Sequence, residues 1–116
     1  MLGVIKIAIK DRVSKKEKLI QKTMNVDDEL YSRLERLSKS KYSESVSKLI
    51  NACVCELVET EKINIYESEN EFLVKHTIIF RQSVLKELER LRRKYRISIY
   101  KLVNIAIHNV IDELEQ

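Results

Sequence analysis

Two short segments of the chain alternate between apolar and polar residues, and each is followed by apolar residues at helical spacing. In Leu19 to Val26 and in Val74 to Phe80, the larger apolar side chains fall on one face, which predicts two half-buried strands. After each strand, apolar residues recur every three or four positions over two stretches, which predicts two helices. The order strand, helix, helix is therefore expected twice.

Acidic residues and serines mark where these helices begin. Three carboxylates stand at positions 27–29, where they favour the N-terminal end of a helix that runs from about Asp28 to Ser38. The candidate N-caps of the other helices are Ser45, Ser83 and Ser98. The second helix is expected to end near Thr60 and the last near Leu114.

The two halves of the chain also share sequence. Leu30 to Leu37 returns as Val84 to Leu91, 54 positions later, and Lys48 to Asn51 returns as Lys101 to Asn104, 53 positions later. One residue is lost between the paired blocks, in a predicted turn. Each repeat spans only about 45 residues, too few to bury a sufficient core alone, so the repeats must share one core.

These patterns predict a mostly α protein with a short β ribbon, in which two strands pair antiparallel over four helices. The expected organisation is a basic N-terminal segment at 1–17, a first unit at 18–60, an acidic linker at 61–71 and a second unit at 72–116. The N-terminal segment includes a predicted short strand, Val4 to Ile9. Its basic run is equally consistent with a flexible arm on a nucleic-acid backbone and with a disordered tail.

Charge is abundant and unevenly placed along the 116 residues. Charged residues make up 34% of the chain, the net charge is +4, and a single Gly with no Pro disfavours barrels and sandwiches. Basic residues concentrate before residue 19 and in Arg90 to Arg96, whereas Glu56 to Glu71 and Asp112 to Glu115 are acidic. This polarity indicates one side that faces a polyanion.

The outward face of the predicted ribbon carries side chains that can contact base edges. These candidate base-reading residues are Gln21, Thr23, Asn25, Lys75, Thr77 and Ile79. A two-stranded ribbon fits the major groove, where Gln and Asn can bond adenine, Lys can reach guanine, and Thr or Ile can pack on a thymine methyl group.

The chain resembles the ribbon-helix-helix family, the MetJ/Arc superfamily of DNA-binding proteins. The resemblance rests on the alternating strands, on the Leu-x-x-x-Leu or Val-x-x-x-Leu of the helix that follows, and on Ile97 to Val103. It implies two tandem ribbon-helix-helix units that form an intramolecular pseudo-dimer, a single-chain form like that of a conjugation protein. It also implies phosphate contacts at the start of the second helix of each unit. With the neighbouring basic turns, the expected phosphate-binding residues are Lys41, Ser43, Ser45, Arg93, Lys94, Arg96 and Ser98.

The sequence offers little support for an enzyme, a cofactor or a metal. No nucleophile with a base, carboxylate pair or phosphate loop is recognisable. His76 and His108 lack ligand-spaced partners and are expected to be structural, with their hydrogen bonds satisfied. Cys53 is expected in the core and Cys55 partly exposed, in a reducing compartment. We expect no signal peptide or membrane span, and a cytoplasmic protein associated with the nucleoid or a plasmid.

The sequence therefore predicts sequence-specific binding of double-stranded DNA, with transcriptional repression by occlusion as the first hypothesis. Copies could associate on adjacent sites. A relaxosome accessory or a plasmid-partition adaptor would bind DNA in the same way and recruit a partner protein through the acidic surface. An antitoxin is a weaker alternative, since little chain follows the last helix. A helical interaction module that binds no DNA is the alternative from another class.

Overall fold

Two strands and four helices make up the part of the chain that the structure, a computed structural model, describes: residues 17–42, 45–66 and 73–115. In chain order they are β1 (Leu19–Asp27), α1 (Asp28–Leu37), α2 (Val46–Thr60), β2 (Leu73–Arg81), α3 (Gln82–Tyr95) and α4 (Ile99–Leu114). A π-helical turn, Ser38–Tyr42, follows α1. These bounds lie close to those predicted from alternation and apolar spacing. The predicted strand at Val4 to Ile9 lies outside the described residues.

β1 and β2 form a two-stranded antiparallel sheet, which we call the ribbon. Thr23 lies opposite Thr77 at its centre, and the pairing extends from Leu19 opposite Arg81 to Asp27 opposite Leu73. One face of the ribbon packs on the helices and buries Val26, Ile78 and Phe80. Because side chains alternate along a strand, the residues between these point away from the helices.

The four helices and the inner face of the ribbon share one hydrophobic core. Each of the six elements contributes fully buried side chains, for example Val26, Leu34, Ile50, Phe80, Leu88 and Ile107. The apolar residues of α4 from Leu102 to Ile111 are enclosed in this core. They are therefore unavailable as a further contact surface between copies of the chain.

The expected fold class, two tandem ribbon-helix-helix units forming an intramolecular pseudo-dimer, is wrong. The described residues form a single unit, in which one two-stranded sheet and four helices enclose one core. Neither half of the described chain has a sheet of its own, because β1 takes its partner from the other half. The physical reason is size, since half of this chain is too short to bury a core by itself.

The change of offset between the repeated blocks coincides with the π-helical turn. Ten residues separate Leu37 from Lys48, but only nine separate Leu91 from Lys101. The longer interval contains the turn Ser38–Tyr42. A π-helical turn holds one residue more than an α-helical turn, so it can absorb the extra residue while the helices on either side keep their faces.

The two helices that follow the strands are capped in different ways. The Asp27 carboxylate accepts hydrogen bonds from two backbone N–H groups in the first turn of α1, at 3.1 and 3.4 Å. The residue that precedes α3 is Arg81, whose side chain cannot accept. Glu17 supplies the carboxylate instead, accepting from the Ser83 N–H at 2.8 Å and from its hydroxyl at 2.9 Å. The prediction of Ser83 as N-cap is wrong, because Ser83 lies inside the first turn.

Both cysteines lie in the core. Cys53 was expected there, but Cys55 was expected to be partly exposed and is only 2% exposed. Burial raises the pKa of the Cys53 thiol to about 12, so the thiolate is disfavoured at neutral pH.

The two histidines stack on tyrosines. The His76 ring lies 3.6 Å from the Tyr31 ring and the His108 ring 4.2 Å from the Tyr66 ring, measured between centroids. The expectation that their hydrogen bonds would be satisfied is wrong: within the described chain, His76 Nε2 and His108 Nδ1 are buried with no hydrogen-bond partner.

Candidate nucleic-acid interface

The predicted base-reading residues lie together on the outer face of the ribbon. They form three cross-strand pairs: Gln21 with Ile79, Thr23 with Thr77, and Asn25 with Lys75. All are exposed except Asn25, which is half-buried, and Ile79 keeps 39% of its surface accessible. The structure thus brings together, on one surface, residues that the sequence separates by about 50 positions.

A hydrogen bond between two threonines ties the centre of this face together. The Thr23 and Thr77 hydroxyl oxygens are 2.8 Å apart. Directly opposed residues in an antiparallel pair have side chains close enough for such a contact. One hydroxyl donates to the other, so the pair retains one free hydroxyl hydrogen and unused acceptor lone pairs. The centre of the face can therefore both donate to and accept from a bound group.

Two buried asparagines hold the helices against the edges of the ribbon. Asn51 in α2 donates to the Ile79 carbonyl at 2.8 Å and accepts from the Arg81 N–H at 3.0 Å. Asn104 in α4 accepts from the Asp27 N–H at 2.7 Å and donates to the Asn25 carbonyl at 3.2 Å. Each asparagine therefore bonds the strand from the other half of the chain.

The sequence carried a signal for these two residues that its interpretation missed. Asn51 and Asn104 end the matching segments Lys48 to Asn51 and Lys101 to Asn104, but no structural role was predicted for them. The signal was an asparagine at the same position of both repeats, within a run of mostly apolar residues. Their side chains satisfy strand-edge groups that a two-stranded sheet otherwise leaves unpaired.

The starts of α2 and α4 consequently lie beside opposite edges of the ribbon. Ser45 caps α2 by accepting from the Lys48 N–H at 3.2 Å, and the Ser47 hydroxyl accepts from the Ile79 N–H at 3.0 Å. Ser98 occupies the cap position of α4, is exposed, and has no side-chain capping bond. Helix N-termini favour anions, so both starts suit a phosphate. Ser43 and the side chain of Lys41 lie outside the described residues.

A groove rich in cations runs along the β1 edge, between this strand, α3 and the start of α4. We call it the basic groove, and define it by its cationic side chains, Lys22, Lys86, Arg92, Arg93 and Arg96. It encloses about 850 Å³ and also includes Ser98. Three of the predicted phosphate-binding residues, Arg93, Arg96 and Ser98, are therefore neighbours.

The charge of the basic groove is only partly neutralised. The Glu89 carboxylate lies 2.9 Å from the Arg92 guanidinium and 3.9 Å from that of Arg93. Among the residues that the structure describes, five cations thus face a single lining carboxylate, and the surface between them is apolar, with Met24 and Leu85 among its side chains. Such a surface attracts an anion, because its own carboxylate cannot neutralise all of its cations.

Lys94 makes its contacts away from the basic groove that contains Arg93, Arg96 and Ser98. Its ammonium group donates to the Glu61 carboxylate at 2.7 Å, and the Tyr95 hydroxyl donates to the same carboxylate. These two hydrogen bonds lower the pKa of Glu61. Lys94 therefore links the end of α3 to the end of α2, and it is not among the residues that line the basic groove.

The acidic residues of α2 and α4 lie at the ends of these helices that point away from the ribbon. Glu56 and Glu59 belong to the last turns of α2, and Glu113 to the last turn of α4. Burial and the nearby Glu113 and Glu59 charges raise the pKa of Glu56. A helix of 15 residues is roughly 22 Å long, so the acidic ends are well separated from the outer face.

No protein-family model matches this chain, and neither curated proteins nor solved structures give a significant match. Within residues 17–42, 45–66 and 73–115, no helix has the length and apolar character needed to cross a bilayer.

Proposed function

We propose that the protein binds double-stranded DNA in a sequence-specific manner, with the outer face of the ribbon in the major groove. The observation that carries the proposal is the row of three cross-strand pairs, which presents amide, hydroxyl, ammonium and methyl groups on one exposed surface. These are the groups that discriminate base edges in the major groove. The resemblance to the ribbon-helix-helix family supports the same mode of binding.

The dimensions of the outer face suit a short recognition sequence. Residues 21 to 25 span about 13 Å along β1, the length of roughly four stacked base pairs. Gln21 and Asn25 can each bond an adenine with both the oxygen and the nitrogen of the side-chain amide, and Lys75 can reach the acceptors of a guanine. The methyl groups of Ile79 can pack on a thymine.

The positions of two helix starts, one at each edge of the ribbon, support the same proposal. Because Asn51 and Asn104 hold the starts of α2 and α4 at the two ribbon edges, these helix N-termini would meet the two DNA backbones as the ribbon enters the groove. The acidic helix ends would then point away from the DNA, where they are not repelled by its phosphates.

A protein bound in this way would repress transcription when its site overlaps a promoter, and we propose this role for a cytoplasmic protein associated with the nucleoid or a plasmid. We propose no catalytic activity. A relaxosome accessory or partition adaptor would use the same DNA contacts and present the acidic helix ends to another protein. Sequencing the DNA recovered with the protein distinguishes these roles, since a promoter site supports repression and a transfer or partition locus supports an adaptor.

The test of DNA binding is selection from a random duplex library, followed by titration of the selected duplex at several salt concentrations. We expect an enriched motif and an affinity that falls steeply with salt. Replacing Gln21 and Lys75 with Ala should weaken discrimination between selected and random duplexes by roughly tenfold or more, while nonspecific affinity persists.

Lys62→Ala is the matched control, because it removes an exposed lysine that lies beyond the end of α2, away from the outer face. It should leave discrimination unchanged. Absence of salt-dependent binding by the wild-type protein would reject the proposal and favour the interaction module. Equal discrimination by the double variant and the wild type would reject the assignment of the outer face.

A further inference from the structure

The two edges of the ribbon, which correspond through the internal repeat, differ in shape. Along the β1 edge, Lys22 and Leu85 line the open basic groove. The residues 54 positions away from them are His76 and Tyr31, and these two stack with their ring centroids 3.6 Å apart and their planes within 9°. An aromatic pair thus occupies the place where the other edge has an aliphatic side chain and a lysine.

The two edges also differ in charge. Lys86, Arg92 and Arg93 in α3 correspond, 54 positions earlier, to Ser32, Ser38 and Lys39. Ser38 is buried, and its hydroxyl donates to the Glu35 carbonyl at 2.8 Å, so it faces the protein. Of these three positions, only Lys39 offers an exposed cation on the β2 side.

We infer that the protein sits on its DNA in one preferred orientation, because the basic groove holds one DNA backbone more strongly than the β2 edge holds the other. This inference rests on the proposed DNA binding and adds a preferred direction of the protein along the DNA. The backbone beside β1 would meet the start of α4 and the cations of the basic groove together. The backbone beside β2 would meet the start of α2 and, at the positions that correspond to Lys86, Arg92 and Arg93, only the described cation Lys39.

The strength of the asymmetry can be measured from salt dependence. Each phosphate neutralised on duplex DNA contributes about 0.9 to the slope of log affinity against log salt, which is roughly a threefold change in affinity between 50 and 200 mM salt. Loss of a groove cation that contacts phosphate should therefore reduce the slope by nearly one. Loss of a cation that contacts no phosphate should leave the slope unchanged.

Arg93→Ala and Lys39→Ala form a matched pair for this test. Both positions are exposed, Arg93 with 68% of its side chain accessible, so neither substitution should unfold the protein. We expect Arg93→Ala to reduce the slope by about one and Lys39→Ala by less than half of that. Arg96 adopts a left-handed backbone with φ of 55°, so the stronger variant is Arg93→Ala with Arg96→Gly, in which glycine tolerates that conformation. We expect it to reduce the slope by about two.

Hydroxyl-radical footprinting on the selected duplex shows in which direction the protein lies on the DNA. The wild-type footprint should extend further on one side of the recognised bases, and the Arg93 and Arg96 double variant should lose protection on that side alone. Equal slope changes for Arg93→Ala and Lys39→Ala, or a footprint that shortens equally on both sides, would overturn the inference while leaving DNA binding in place. A wild-type protein without salt-dependent binding would instead reject the proposed function itself.

Discussion

Removal of the Asn104 side chain should destabilise the protein more than removal of Asn51. Both asparagines are 5% exposed and bond a strand edge with the same pair of amide atoms. They differ in the backbone group that each would leave unpaired. Asn104→Ala leaves the N–H of Asp27 without its partner in a residue that is only 4% exposed. Asn51→Ala does the same to the N–H of Arg81, but Arg81 is half-buried, so water can reach that group.

The expected difference follows from the cost of unsatisfied groups. An unpaired buried backbone group costs about 1 to 3 kcal/mol, and a group that water can reach costs less. Asn104→Ala should therefore cost about 3 kcal/mol, and Asn51→Ala about 1.5 kcal/mol. The gain in helix propensity from Asn to Ala, roughly 0.5 kcal/mol, applies to both variants and cancels in the comparison.

Urea denaturation followed by circular dichroism measures both costs. With a slope of roughly 1.5 to 2 kcal/mol per molar urea, Asn104→Ala should lower the midpoint by about 1.5 to 2 M, and Asn51→Ala by about half as much. Asn109→Ala is the control, because its amide donates to the Lys62 carbonyl in an exposed position and its loss should cost less than about 0.5 kcal/mol. An Asn51 variant as unstable as the Asn104 variant would refute the reasoning from burial.

Two further predictions concern carboxylates. Glu17→Ala should cost about 1 kcal/mol and accelerate hydrogen exchange at the Ser83 amide, because Glu17 caps α3; unchanged exchange there would contradict this. The pKa of Glu61 is lowered by its bonds to Lys94 and Tyr95, so its stabilisation is present above the ordinary carboxylate pKa and is lost as the pH falls through the lowered value. Wild-type and Glu61→Gln stabilities should therefore converge in acid. The raised pKa of Glu56 has the opposite sign, so Glu56→Gln should be more stable than the wild type at neutral pH and match it in acid; a pH-independent difference in either case would contradict the assigned shifts.

Local periodicity accounts for what could be predicted about the candidate site. Because strand side chains alternate strictly, the apolar character of Met24, Val26, Ile78 and Phe80 was enough to place the polar residues between them on the other face. The register that puts Gln21 opposite Ile79 came only from the structure, because a shift of two residues would keep the same faces and change every pair. Helix starts with a local cap, such as Ser45, were predictable for the same reason.

The features that could not be predicted depend on contacts between distant residues. Glu17 caps a helix that begins 65 positions later, and Asn104 bonds a strand about 80 positions earlier. No local pattern specifies such partners. The burial of Cys55 was missed for a similar reason. The spacing of apolar residues along α2 shows one buried face, but it cannot show that α1, α3 and α4 all pack against this helix. The expected fold class failed at this level too: the repeats indicated two units around a common core, whereas the described residues form a single unit of one sheet and four helices.

Linking both repeats in one chain permits the two ribbon edges to differ. In an assembly of two identical chains, any substitution at one edge would appear at the other. Here Asn51 and Asn104 perform the same task at opposite edges, while the stacked Tyr31 and His76 stand where the other edge has an open groove. The bonds that position the ribbon have been kept in both repeats, and the surface beside it has diverged. If the protein binds DNA as proposed, this asymmetric surface would give it a preferred orientation, and the comparison of Arg93→Ala with Lys39→Ala tests that consequence of the divergence.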